Sequence, residues 1–469
     1  MASSEAITAT LPRFIVIKSK AYSDKGNVHF KSDGRSVVVG EEDVLSTPVK
    51  IEVERSTTNA KYVNLRFVYF NRYWQRKEND KFIVAESDQP EEDVTNSSCT
   101  LFEPVKVDDN GVFYLSHVQS GGRLSVDGQT MALYVDEQKN GDEEKGYLTF
   151  VDWNTLVKMP GSVAFKGSNG KYIMLDGSLL LFKSDDPNDK TTICVVEQKP
   201  EGHVHIRQRE YDDDYFWAVR TPELLVSGVA SSLSPPSTQL YNFWPVIMDD
   251  NTIALRSEYN NNFCCYLYDD YGIMDGLWAR ASTVTKDAIL QVHESVVGRK
   301  IYNVVYQMEY ARIFDEVPYL AGSETLTNDG DKEDSMAVSI EYTDEKSYTF
   351  SRSISLTAGV SASIEAGIPF IEKATIQVHY EISGALQWDE TTTTTTSVTA
   401  TGTVPIPAKT KATVDYVGTR GTCNIPYSYT QEDKSSIDGK PIYTDLVDGI
   451  YTGVSYYNFN FHVRDTMPL

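Results

Sequence analysis

Four residues in one short stretch have the chemistry of a sugar site. Asn71, Tyr73, Trp74 and Gln75 place two amides, a phenol and an indole side by side just after an apolar strand, Val63-Asn64-Leu65-Arg66. A pyranose needs a flat apolar ring against its C–H face and amides or acids for its hydroxyls. That is the usual design of a small-ligand site, an apolar wall with a few placed polar groups. A related cluster recurs at Asp214-Tyr215-Phe216-Trp217. The two tryptophans also read as core plugs. Trp217, flanked by Phe216 and Ala218, fits the plug better, and Trp74, near Arg72, Gln75 and Arg76, fits the binding role better.

Other chemistry is missing from the sequence. It has no Gly-rich phosphate loop, no G-x-S-x-G elbow and no H-E-x-x-H pair, so an enzyme is not expected. The seven His are scattered. His203 and His205 share a strand face, but no Cys or carboxylate stands at ligand spacing, so they read as ordinary strand histidines. No metal or cofactor is expected. With 67 acidic residues in the chain, paired carboxylates carry no information.

Two kinds of element must position these groups. The first is a long alternating stretch from Ser353 to Ser383. Ile354, Leu356, Ala358, Val360, Ala362, Ile364, Ala366 and Ile368 fall on one face, with Ser, Thr, Gly and Glu on the other. After the apolar tip Pro369-Phe370-Ile371-Glu372, the alternation resumes with Ala374, Ile376, Val378, Tyr380 and Ile382. Side chains alternate across a strand, so this is a β-hairpin with one oily and one wet face. Each arm meets the roughly 9–11 residues a membrane strand needs, where soluble strands run about five or six. One hairpin in lipid leaves two bare edges, each unpaired group costing several kcal/mol, and only a closed barrel removes them. Membrane crossing would therefore need copies from other protomers. Ile354, Leu356, Val360, Ile364, Ile368, Phe370, Ile371, Ile376 and Val378 are the candidate insertion residues, stored against the protein until then.

The second element is a repeat over residues 11 to 298. Short apolar strands open six units at 28–31, 63–66, 113–116, 163–166, 204–207 and 253–256, with Gly, Asn and Asp turn signals between them. Six units fit a six-bladed propeller or two β-trefoils. Asn71 to Trp74 in the second unit and Asp214 to Trp217 in the fifth share a larger period of three units, which favours tandem trefoils split near Asp152 to Met159. Beyond Arg299 the strands lengthen and grow rich in Ser, Thr and Tyr. The run Thr391 to Thr396 reads as part of one long exposed strand, because β-branched Thr favours strands. Pro405 and Pro407 are expected to break that ladder. The fold class is all-β. The expected division is a tail at 1–10, trefoils at 11–153 and 154–298, and an elongated β domain at 299–469.

With Asn71-Arg72-Tyr73-Trp74-Gln75 in the first, the two tandem units resemble the agglutinin domains of amaranthin-type plant lectins. The third domain, with its Ser/Thr-rich hairpin, its Thr strand and Val404-Pro405-Ile406-Pro407-Ala408-Lys409-Thr410, resembles the aerolysin-type pore-forming module. The likeness covers nearly the whole chain and its domain order. It implies two β-trefoils, plant origin and recognition of galactose β1-3 linked to N-acetylgalactosamine. In amaranthin-type dimers the sugar lies between the first domain of one protomer and the second domain of its partner. Carried over, Asn71, Tyr73, Trp74 and Gln75 supply one wall, and internal symmetry offers Asp214 and Tyr215 for the other. The third domain stands in the way of that dimer, which puts the shared site and the disaccharide in question.

Bulk properties narrow the partners. The chain has 469 residues, 41% apolar and 23% charged, as a globular protein does. A net charge of -24 repels nucleic acid and anionic lipid alike, so a membrane target must be found through a neutral group such as a glycan. No apolar run is long enough for a membrane helix. Met1-Ala2-Ser3-Ser4-Glu5 lacks the features of a signal peptide, and five Cys cannot all pair. Free thiols and a nucleocytoplasmic location are expected. Two functions follow: a lectin-guided, homo-oligomeric pore former in plant defence or stress, or a cytosolic lectin whose third domain serves oligomerisation.

Overall fold

The computed structural model describes residues 9–138, 143–210, 213–230, 238–352, 356 and 360–469. The fold is all-β, and among the described residues every helix is a 3-10 turn of three or four residues. The strands of the described residues form three sheets, of twelve, twelve and eight strands.

Each twelve-stranded sheet closes on itself. In the first, strands Phe14–Ser19, Ile51–Arg55, Val63–Phe67, Leu101–Lys106, Phe113–His117 and Leu148–Asp152 pair in a six-membered ring. The second ring joins Ser162–Lys166, Cys194–Gln198, Val204–Glu210, Phe243–Asp249, Thr252–Ser257 and Leu290–Glu294. Three hairpins cap each ring, and the caps pair with one another. Six barrel strands and three capping hairpins make a β-trefoil, and the propeller alternative is excluded. Closure leaves the barrel strands no free edge. The second core shows why the sequence folds this way. Val163 and Phe165, Val204 and Ile206, Ile253 and Leu255, Leu290 and Val292 all point inward at every second position of four barrel strands.

Five of the six expected opening strands are barrel strands. The first is not. Asn27–Lys31 belongs to a capping hairpin, and the barrel strand of that unit is Phe14–Ser19. Ile15, Val16 and Ile17 are all fully buried and the run does not alternate, whereas Val28-His29-Phe30-Lys31 in the cap does.

In the eight-stranded sheet the order is Thr375–Leu386, Ala362–Glu372, Val296–Tyr306, Thr410–Ser435, Pro441–Pro468, Asp334–Arg352, Thr391–Ile406, with Arg312–Asn328 paired to Thr410–Ser435. The Thr run is a strand. It pairs with Asp334–Arg352 over sixteen positions, and Thr391 to Ser397 face solvent. Pro405 does not break the ladder; it pairs opposite Ser335. Thr391–Ile406 is the last strand of the sheet, where a residue without an N–H is tolerated.

Contacts group the chain into two compact units. One takes both barrels up to Arg299, with Leu356, Val360, Ser361 and Asp433–Ile442. The other takes Lys300–Arg352, Ala362–Glu432 and Tyr443–Leu469. In the first unit the Arg299 guanidinium bridges the carboxylates of Glu294 and Asp433, both at 2.6 Å.

Candidate functional site

Arg66, on strand Val63–Phe67, is the hub of the cluster in the first barrel. Its guanidinium donates from Nη1 to Oδ1 of Asn71 at 2.7 Å, from Nε to Glu54 at 3.0 Å, and from Nη2 to Glu52. The Tyr73 hydroxyl donates to the other Glu54 oxygen at 2.7 Å. Burial opposes the Arg66 charge, but Glu52, Tyr73 and Glu54 outweigh it and raise its pKa. Asn71 reaches its position through a left-handed backbone, φ 50, which Asn tolerates. The amide and the phenol expected to hold sugar hydroxyls are thus engaged in an internal ion network.

Trp74 requires a correction. It is 0% exposed, wedged against Phe67 with ring centroids 5.6 Å apart and edge-on to Phe102 at 6.3 Å. A ring with no accessible face cannot stack on a pyranose, so Trp74 is a core plug. Asn71 and Tyr73 are likewise fully buried, and only Gln75 of the four keeps some surface. Trp217 is the matching plug in the second barrel, packed on Phe165 and Phe243 and donating from Nε1 to Gln208 at 3.0 Å. Asp214 is ion-paired to Arg207 at 2.9 Å and Arg209 at 3.2 Å, and Tyr215 is half-buried against the barrel core. The expected six residues therefore do not form one open wall. The recurrence of Trp at matched positions of an internal repeat was itself a core signal. Among the described residues, the exposed rings of the second barrel lie elsewhere, at Tyr259, Tyr268 and Tyr271.

His203 and His205 pack ring to ring at 5.6 Å, and burial lowers both pKa values. Among the described residues no group of three His, Cys, Asp or Glu could hold a metal. All five cysteines are unpaired and buried.

The hairpin is present but shorter than expected. Its arms are Ala362–Glu372 and Thr375–Leu386. Its turn is Lys373-Ala374, with φ 49 and 63, the positive pair of a tight hairpin turn. Pro369 to Glu372, expected as the tip, lie within the first arm, where a register shift between Ile368 and Pro369 accommodates the missing N–H. Ile354 lies outside the described residues. Leu356 is corrected: its side chain is 1% exposed and belongs to the core of the second barrel. Val360 precedes the strand and is half-buried.

The remaining candidates divide by depth. Ile364, Ile368, Phe370 and Ile371 are buried in one cluster with Ile301, Phe350, Tyr427 and Tyr451, and Ile376 packs partly against it. Val378 is 50% exposed. On the opposite face Lys373, Thr375, Gln377, His379, Glu381 and Ser383 are exposed. Polar contacts fasten the buried side. The Tyr306 hydroxyl donates to the Gly367 carbonyl at 2.5 Å and the Tyr451 hydroxyl to the Pro369 carbonyl at 2.6 Å. The Ile371 N–H donates to Ser455 Oγ at 3.1 Å. Burial pushes both phenols up, so they remain protonated donors. Thr375–Leu386 is the outermost strand of its sheet. The arrangement is an amphipathic hairpin at a sheet edge, apolar side inward.

Comparison with known proteins gives two family matches. Residues 10–126 match the agglutinin domain, and residues 288–461 match the family of Clostridium epsilon toxin ETX and Bacillus mosquitocidal toxin MTX2. No curated protein matches the chain. Among solved structures, the hemolytic lectin CEL-III is similar at 11% identity, with 95% of this chain and 93% of that one covered and a TM-score of 0.32. A lamprey immune protein is similar at 13% identity, covering 76% and 86%, with a TM-score of 0.30. A mosquitocidal holotoxin is similar at 12% identity, covering 64% of this chain and 36% of its own, with a TM-score of 0.29.

Proposed function

We propose that this chain, an agglutinin domain followed by an epsilon-toxin/MTX2-type domain, is a glycan-guided pore-forming protein. The observation that carries the reading is the docked hairpin. Ala362–Glu372 and Thr375–Leu386 turn an apolar side to the protein and a polar side to water at a sheet edge. Turned out among copies of itself, the same hairpin would offer the apolar side to lipid and the polar side to a water-filled lumen. Domains at 11–153 and 154–298 hold the protein on glycans, which raises its concentration at the membrane. The domain at 299–469 releases the hairpin, and protomers close a barrel so that no edge is left in lipid. Galactose β1-3 N-acetylgalactosamine is the first glycan to test, and plant defence or stress the proposed setting.

The test is dye release from phosphatidylcholine vesicles with and without a glycolipid ending in that disaccharide. Release that depends on the glycolipid, together with a detergent-stable oligomer, supports the reading. Intact vesicles at saturating binding would remove the pore.

A second reading has its own support. Ile364, Ile368, Phe370 and Ile371 are buried core residues of that sheet. A permanently docked hairpin would leave a lectin whose third domain is an oligomerisation scaffold. Vesicle binding without leakage would favour it.

A further inference from the structure

We propose that the outer edge of strand Thr391–Ile406, along Thr391 to Thr396, is a pairing surface for the same stretch of a second copy of this chain. The inference goes beyond glycan binding and pore formation and gives the Thr run a task. Thr391–Ile406 closes one end of the eight-stranded sheet, and Asp334–Arg352 is its only strand neighbour among the described residues. Every second residue of an antiparallel strand turns its N–H and C=O away from that neighbour. No described strand meets those groups here.

Free edges are normally blunted by charge, proline or a bulge. Two others in this sheet carry such devices. Arg312–Asn328, which pairs only with Thr410–Ser435, has Asp315, Glu316, Pro318 and Glu324. Its register also shifts twice, between Phe314 and Val317 and between Leu320 and Gly322. Thr375–Leu386, at the other end of the sheet, has His379 and Glu381. The Thr strand has none of them. It carries no charged residue from Thr391 to Ala408 and no proline before Pro405. Its pairing with Asp334–Arg352 runs sixteen positions without a register shift. An edge this long and flat is a template for another strand.

Composition and charge say which strand. Thr391 to Ser397 are exposed on both faces, so an apolar or lipid partner would bury no oily surface. Main-chain hydrogen bonding is what the edge offers. A run of six identical residues is complementary to itself. Antiparallel about a two-fold axis, residues 391, 392 and 393 of one copy lie opposite 396, 395 and 394 of the other, and Thr–Thr pairs across strands are favourable. In that register Glu390 falls opposite a serine, not another carboxylate. A net charge of -24 makes two copies repel. Asp344 and Glu345 sit one strand back, opposite Thr396 and Thr395. Across the paired edge they would stand three strand spacings, ~14 Å, from their counterparts, beyond the Debye length of about 8 Å at physiological salt. The Thr strip is therefore where like-charged copies can meet at least cost. The two-fold contact is closed, so it stops at a dimer, and one strand edge is a small interface, so the dimer is weak and reversible.

The experiment is sedimentation velocity on the full chain from about 1 to 200 µM, a range suited to a weak interface. It is run beside Thr393→Lys/Thr394→Lys and Thr393→Glu/Thr394→Glu. The parent should pass from monomer towards dimer across that range. Each double variant sets two like-charged pairs across the two-fold axis and should weaken association about tenfold or more. The thermal midpoint should not move, because both side chains are exposed. An equimolar mixture of the two double variants should recover the dimer, since Lys then lies opposite Glu. A merely damaged fold would give no such recovery. A parent that stays monomeric throughout overturns the proposal. So does a dimer that the double variants keep, or one that they lose and the mixture does not regain. Species larger than a dimer in the parent overturn the two-fold pairing as well.

Discussion

The Tyr451 hydroxyl donates to the Pro369 carbonyl at 2.6 Å, so a fully buried phenol in the sheet interior holds the hairpin backbone beside its register shift. Tyr306 does the same to Gly367, two residues earlier. Removing a hydroxyl leaves a buried carbonyl without its donor, at a cost of about 1–3 kcal/mol. The Phe variants keep the rings, so the packing of Tyr306, Tyr451 and Phe350 is unchanged. Tyr451→Phe should therefore loosen the hairpin locally. Amide hydrogen exchange should speed up over 362–386 before it changes elsewhere, and the double variant with Tyr306→Phe should exchange faster still. Uniform exchange across the sheet in both variants would mean that the two bonds hold nothing in particular.

Val378 separates insertion from folding. It is half exposed, while Ile376 on the same side packs partly against the sheet core. Val378→Arg should shift the unfolding free energy by no more than about 0.5 kcal/mol, as surface changes do. In a barrel the same residue would face lipid, where an Arg near the midplane costs about 2–4 kcal/mol in each protomer. Dye release should be abolished, with glycan binding intact. Ile364→Asp is a poor probe for the same question, because Ile364 is 1% exposed and its loss would disturb the fold itself. Full leakage by Val378→Arg would show that this arm does not cross the bilayer.

Period-two patterning made the barrels and the hairpin legible in the sequence. Leu290 and Val292, or Ile364 and Ile368, announce their faces because one side of each strand is dry and Gln291 and Glu365 between them are exposed. What failed were places where another constraint dominates. Ile15, Val16 and Ile17 are buried on both sides and carry no alternation, while the adjacent cap strand Val28-His29-Phe30-Lys31 alternates and so reads as the opening strand in their place. Leu356 continues the hairpin's alternation in sequence, but its side chain is packed into the second barrel core. The sugar residues failed for a different reason. A Trp beside an amide and a Tyr has the composition of a binding site, and composition is silent on which way a ring points. Arg66 reverses the reading by drawing Asn71 and, through Glu54, Tyr73 inward.

Trp74 offers the sharpest test of that correction. Trp74→Ala would remove a fully buried indole packed on Phe67 and Phe102. Loss of such a side chain typically costs about 3–5 kcal/mol. Urea unfolding of the first barrel should shift to much lower concentration, while Trp74→Phe should lose only part of that. If Trp74→Ala kept its midpoint and lost sugar binding alone, the indole would have to leave the core to meet its ligand, and the buried position would be only one of its states.

The last prediction concerns pH. Burial is the main cause that lowers the pKa of both His203 and His205. The two rings face each other at 5.6 Å, with Trp244 against His203 and Asn242 hydrogen-bonded to Nε2 of His205. Glu201 and Glu258 favour the charged form of His203 but do not reverse the direction. Folded, both imidazoles resist protonation. Unfolded, they take up protons near the usual value of about 6.5. The unfolded state then binds more protons, and stability must fall as pH drops through that range. The contribution is complete above about pH 7.5 and declines towards about pH 5.5, well before carboxylates such as Glu92, whose pKa is lowered, begin to titrate. Urea midpoints between those pH values should fall for the parent. They should fall less for His203→Gln, which cannot be protonated. Parallel slopes for parent and variant would show that these two rings do not set the acid response.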